Sequence, residues 1–463
     1  MMLHRKNSKN SHSLLSVPKM PTAASSSPRP PDRRAGKAMV LVASSLWVLL
    51  ATALSPSAAA QSTPDQPAIN TPPDEVRPHE LLQDRFDRRT SVPGTQIGAV
   101  SFQASAVADL GYNDNVFAQQ TGGKGDGFVD YGGRISGDYH YDGFRALLDL
   151  NYQERRYFTL PDEDYWQGGT RLNLSDQIGR DVGLFLQGGV QRLSVPRSDP
   201  NTINGFKPAT YLLYDGETGV ALGNGSSNLV TVTMGVNQSI FDQSFGSQGQ
   251  IITNDRDRQE IFGDVRYDHT FFGQQKAFLE IRPDGRTFGR ETDASGFHRD
   301  SNGVRSDAGF VFDIDSLFLI SITGGWQTQD YADPRYGTIN KPDVVLDLLW
   351  SPTDLTQADI KFTHEYFEDL FAESPGYVHD MTTLTVSHEL KRDLLLKASA
   401  SYDARTLQKS TRRYDIISTD GRVEYEALRG FIVGVDYMFQ NLTSNTSRTF
   451  NDNILMLTFK KQF

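Results

Sequence analysis

Charged residues recur at every second position along much of the chain, and that spacing limits the chemistry open to them. The candidates are Arg145, Asp149, Arg155, Arg171, Asp264, Arg266, Asp268, Glu280, Arg282, Arg305, Asp307, Lys361, Glu365, Lys397, Arg422, Glu424 and Asp436. In an extended strand, residues two apart share a face, so these groups gather on one surface while the residues between them, largely apolar, occupy the other. Two roles are open to such a surface. Guanidinium and carboxylate groups can satisfy one another across neighbouring strands, or rings of fixed charge can line a pore and select the solutes passing it.

Catalytic patterns are missing. The nine histidines are scattered, no His-x-x-x-His spacing or Gly-x-Ser-x-Gly elbow occurs, and there is no cysteine to act as nucleophile or metal ligand. Neither an enzyme nor a bound cofactor is expected. Pro161-Asp162-Glu163-Asp164 has the composition of a divalent-cation loop, but an exposed acidic turn is the simpler reading.

The elements that must hold the charges follow from the same alternation. Phe144, Ala146, Leu148, Leu150 and Tyr152 alternate with Arg145, Leu147, Asp149 and Asn151. Phe431, Val433, Val435, Tyr437 and Phe439 alternate with Ile432, Gly434, Asp436, Met438 and Gln440. About eighteen such segments run from Ile97 to Phe463, with centres near 106, 134, 150, 170, 187, 216, 235, 262, 282, 308, 323, 346, 362, 384, 399, 420, 436 and 457. Tight turns such as Tyr141-Asp142-Gly143 take turns with long loops such as 196–209 and 242–254. Even strand number with short turns on one side and long loops on the other predicts an all-β fold, a transmembrane antiparallel β-barrel. Two segments fit poorly: Pro283 interrupts the ninth, and 210–222 alternates weakly. At about 4.8 Å between strands and about 40° of tilt, eighteen strands enclose a cylinder about 36 Å across, so the lumen holds water or a plug.

The remaining sequence is addressed to the same place. Arg29, Arg33, Arg34 and Lys37 precede an apolar run, 38–54, that ends in Ser-Pro-Ser-Ala-Ala-Ala, which predicts a secretory signal peptide over 1–60 cleaved between Ala60 and Gln61. Residues 61–95 read as a Pro-rich, disordered periplasmic linker with one short helical turn around His79 to Arg89, and residues 96–463 as the barrel. After Ala60 the chain carries 38 basic and 56 acidic residues, a net charge of −18 that disfavours nucleic acid as a partner.

Two short stretches carry a resemblance. Phe463 closes a strand whose outer positions are Leu455, Leu457 and Phe459, similar to the C-terminal assembly signal of bacterial outer-membrane proteins, although Lys461 stands where that signal is usually apolar. It implies the barrel-assembly machinery as a partner and outer-membrane lipid as surroundings. Leu110-Gly111-Tyr112-Asn113-Asp114-Asn115-Val116-Phe117, opening a long loop, resembles the putative beta-barrel porin 2 family. The resemblance implies an outer-membrane channel passing an exported exopolysaccharide or capsule polymer with a periplasmic export partner. Asn113 to Asn115 themselves read as a polar turn closing the strand. A diffusion or sugar-uptake porin is the alternative, and a structural or adhesive barrel with ligand-binding outer loops is the third.

Overall fold

The computed structural model describes residues 79–463, apart from 204, 224–226, 272–274, 316, 369–373 and 447. The signal peptide, its cleavage position and the first part of the linker lie outside the described residues.

The chain opens with helix α1 (Leu82–Thr90) and a three-residue strand, β1 (Thr95–Ile97). There follow β2 (Val100–Asn113), β3 (Asp126–Tyr141), β4 (Phe144–Tyr157), β5 (Tyr165–Ile178), β6 (Val182–Val195), β7 (Ala209–Leu222) and β8 (Asn228–Phe241). A small hairpin, β9 (Ser244–Gly246) and β10 (Gly249–Ile251), fills the next loop. Then come β11 (Arg258–Thr270), β12 (Lys276–Phe288), β13 (Ser301–Ile314), β14 (Phe318–Tyr331), β15 (Thr338–Thr353) and β16 (Thr356–Glu368). The last five are β17 (Gly376–Lys391), β18 (Leu394–Leu407), β19 (Arg413–Leu428), β20 (Phe431–Ser444) and β21 (Phe450–Gln462).

Each long strand pairs antiparallel with the next, and β21 returns to β2 in register from Ser105↔Gln462 to Asn113↔Ile454. Among the described residues, one sheet holds nineteen strands. The short β1, paired only with β2, is an appendage, so eighteen strands form a closed barrel. Closure leaves no strand edge, the condition for placing a sheet in hydrocarbon.

The short turns lie at one end, with Asp142 and Gly143 at φ 43° and 86° giving the left-handed turn that β3–β4 requires. The long loops lie at the other end. Outward side chains are apolar and bare, among them Leu110, Ile135, Leu150, Leu172, Met234, Ile281 and Val435. Inward positions carry the charge and the buried residues.

The two irregular segments are both strands. Opposite Pro283 the β11–β12 ladder loses its pairing between Phe262↔Asp284 and Val265↔Ile281, as expected of a residue without an N–H. β7 alternates weakly because Tyr211 faces inward and packs with Ile203 of the loop 196–209, so both of its faces are apolar there.

Candidate functional site: the lumen and its two mouths

Cross-strand register places every candidate charge on the inward face. Arg155 meets Asp130 through two hydrogen bonds of 2.8 and 2.7 Å, its guanidinium 4.0 Å above the Phe128 ring. Arg171 pairs with Asp215 at 2.9 Å, two strands away. Arg134 pairs with Asp149, Arg145 with Asp138, and Arg422 with Asp436. Around Arg266 stand Asp268 at 3.0 Å and Glu280 at 2.8 Å. Arg282 lies 3.7 Å over the Phe262 ring and reaches Glu260. Arg305 collects Asp307, Asp343 and Glu365 at 2.7, 2.8 and 2.9 Å, linking β13, β15 and β16. Asp264, Lys361 and Lys397 share the same face, opposite Thr233, Asp347 and Arg422 respectively. These charges are therefore largely engaged with one another.

Helix α1 lies across the short-turn end. Leu82 and Phe86, one helical turn apart, are buried against Leu395 and Ile432, which face inward. Arg85 and Arg89 both grip Glu389, each at 2.8 Å. Gln83 donates to Glu424 at 2.8 Å, and Lys460 reaches Asp87 at 3.0 Å. Leu82 N–H donates to Gln357, and His79 stands 2.7 Å from Asp313, so the helix and its lead-in touch the wall from β13 to β21. The short helical turn expected around His79 to Arg89 is a nine-residue helix, docked on the wall. The signal was present in the sequence: Leu82 and Phe86 at helical spacing, with Leu395 and Ile432 breaking the polar face that was to receive them.

The long-loop end is crossed as well. Arg197 makes a bidentate pair with Glu163 at 2.7 and 2.9 Å, and Asp199 lies 3.8 Å from Arg405 of β18, far around the barrel. Arg448 donates to the backbone of Pro200 and Arg197. Arg256 donates to the carbonyl of Asn201, and Phe206 N–H to that of Phe245 in loop 242–254, so these neighbours seat the crossing loop. The acidic turn is exposed at Pro161 and Asp162 but not at Glu163, which is 3% exposed and engaged by Arg197, while Asp164 accepts from Tyr157 N–H. Glu368 of β16 reaches Arg258 of β11 at 2.6 Å. Among the described residues, no group of three or more acidic or histidine side chains is placed to hold a metal ion.

Between the mouths remains a cavity of about 1030 Å³, bounded by Asp87 and Arg88 of α1 at one end and by Asp199 at the other. Its wall includes Gln103, Ser105, Arg134, Gln153, Tyr165, Gln167, Gln191, Asp436 and Thr458.

The Asn113–Asn115 motif closes the strand, as a polar turn should. Asn115 N–H donates to the Asn113 side chain at 2.6 Å, Asp114 accepts from the backbone and side chain of Asn453, and Asn115 donates to the carbonyl of Asn451. The motif therefore pins the first strand to the last. Phe463 is exposed, and its N–H donates to Ala104 of β2 at 2.9 Å.

A closed antiparallel cylinder, bare and apolar outside and charged within, is a porin-type barrel of the outer membrane. The chain belongs to the family described as "Putative beta-barrel porin 2", whose profile matches residues 91–463. No curated protein matches it. Solved structures similar in fold include OpdK of Pseudomonas aeruginosa, with 8% identity, 78% of this chain and 99% of that one covered, and a TM-score of 0.44. OccAB4 of Acinetobacter baumannii has 10% identity, coverages of 78% and 98% and a TM-score of 0.45. A BenF-like porin of Pseudomonas fluorescens Pf-5 has 8% identity, coverages of 79% and 99% and a TM-score of 0.43.

Proposed function

We propose that the protein is a passive channel through which small hydrophilic solutes cross the outer membrane. The observation that carries this reading is the cavity between α1 and loop 196–209, about 1030 Å³ and polar-walled, inside a barrel too wide for its wall side chains to fill. The inward charges serve as its lining: paired, they hold a hydrated wall without trapping an ion, and transient hydrogen bonds hand a solute along.

The same geometry weighs against polymer export, which the family resemblance implied. A polymer must thread both mouths at once, and both are crossed by buried, ion-paired chain segments. Small solutes need only slip past them.

Purified full-length protein in planar bilayers is expected to show discrete conductance steps, and proteoliposomes to swell in small neutral solutes. A barrel that stays closed both intact and without residues 79–92 would overturn the channel reading in favour of a structural one. Loss of extracellular polymer on gene deletion would restore export.

A further inference from the structure

We propose that the lumen takes neutral, polyhydroxylated solutes, with a short oligosaccharide as the fitting class, and that the wall formed by β4, β5 and β6 recognises them. The inference rests on the channel reading and specifies its cargo.

The cavity wall divides its work by chemistry. On β4–β6 the inward face carries a cluster of carboxamides: Gln153 stands opposite Gln167, and Gly169 stands between Asn151 and Gln191 in the next row. All four amides line the cavity. Gln167 donates to Gln153 at 3.3 Å, which uses one hydrogen-bonding position of each, whereas a primary amide offers two N–H donors and an oxygen with two lone pairs. The glycine between Asn151 and Gln191 recesses the wall there. Tyr165, on the same strand as Gln167, adds an aromatic ring to the lining.

Most charges around the cavity are matched, with the carboxylates of Asp109 and Glu424 as further lining groups. Arg134 is held by Asp149, Arg155 by Asp130, Arg422 by Asp436 and Lys460 by Asp87. An anion or cation entering such a lumen gives up hydration and meets few groups of opposite charge that are not already paired. A sugar hydroxyl both donates and accepts, so it exchanges water for amide partners at little net loss. Preference for neutral polyols over ions of similar size follows from that difference.

The test uses raffinose, a neutral trisaccharide, with the full-length protein folded in detergent and followed by saturation-transfer difference NMR. Raffinose is expected to receive saturation from the protein, and Gln153→Ala/Gln167→Ala/Gln191→Ala to weaken its apparent affinity at least tenfold. Heat-modifiable gel mobility certifies that the triple variant is folded; Gln167→Leu, which keeps side-chain bulk, serves if it is not. No saturation transfer to raffinose, unchanged affinity in the folded variant, or displacement of raffinose by equimolar citrate would each overturn the proposal. Since the readout needs no current, a non-conducting barrel that binds raffinose sinks the channel reading alone. A conducting barrel that ignores raffinose sinks only the cargo.

Discussion

Asp130 and Arg155 show what a charge inside this barrel is worth. Asp130 is 1% exposed and carries two of the guanidinium's hydrogen bonds, so Asp130→Ala leaves a buried cation without its partner. The expected cost is about 3–5 kcal/mol, read as a lower urea midpoint, and the double variant Asp130→Leu/Arg155→Met should recover most of it. At the long-loop end, Asp333 accepts hydrogen bonds from the Arg335 guanidinium and from backbone N–H groups, which hold its carboxyl well below the usual carboxylate range. The sign follows: a lowered folded value gives stabilisation that is full above the ordinary carboxylate range and is lost only as pH falls well beneath it. Loops 289–300 and 332–337 should therefore resist limited proteolysis equally at pH 7 and pH 5, while Asp333→Asn should expose them at both. Alternation made the face of each charge legible in the sequence. It could not show partners, because Arg305 and Glu365 stand on strands three apart and only closure and side-chain reach bring them together.

Among elements, α1 has the clearest measurable consequence. Phe86 is fully buried, and its truncation to alanine removes packing worth about 3–5 kcal/mol, enough to undock a nine-residue helix that has little stability alone. Phe86→Ala is expected to raise single-channel conductance, as is Glu389→Ala, which removes the carboxylate that both arginines share; unchanged conductance in both would show that the helix does not restrict flow. Gly430, at φ 69°, supports the same dock: a Cβ there would stand 2.5 Å from a Val92 methyl, so Gly430→Ala should loosen the strap after the helix. The eighteen strands were legible because a period of two over about ten residues has few other solutions. The helix was legible as a short turn around His79 to Arg89, but its docking was not, since its stability comes from a pocket assembled from β18 and β20.

At the scale of the whole molecule, everything depends on the seam between β2 and β21, the pairing with the longest loop of chain to close. Asp114 and Asn453 hold it at the long-loop end, and the β21 terminus holds it at the other. Asp114→Ala should lower the temperature at which the folded band disappears on unheated gels, without changing conductance below that temperature. A shift confined to conductance would instead assign the motif to solute contact. Its sequence suggested a turn, but nothing local could reveal that the turn's partner lay more than three hundred residues downstream.

The strap joining α1 to the barrel is short. Because β1 is fastened to β2 from Thr95↔Phe102, only Ser91 to Gly94 connect helix and barrel, a leash of about 13 Å at full extension. A stopper so leashed never leaves its socket's neighbourhood, and its effective concentration there stays in the millimolar range or above. Release would therefore register as brief, recurrent flicker between two current levels rather than as a lasting open state, and cutting the leash should turn the flicker into a plateau.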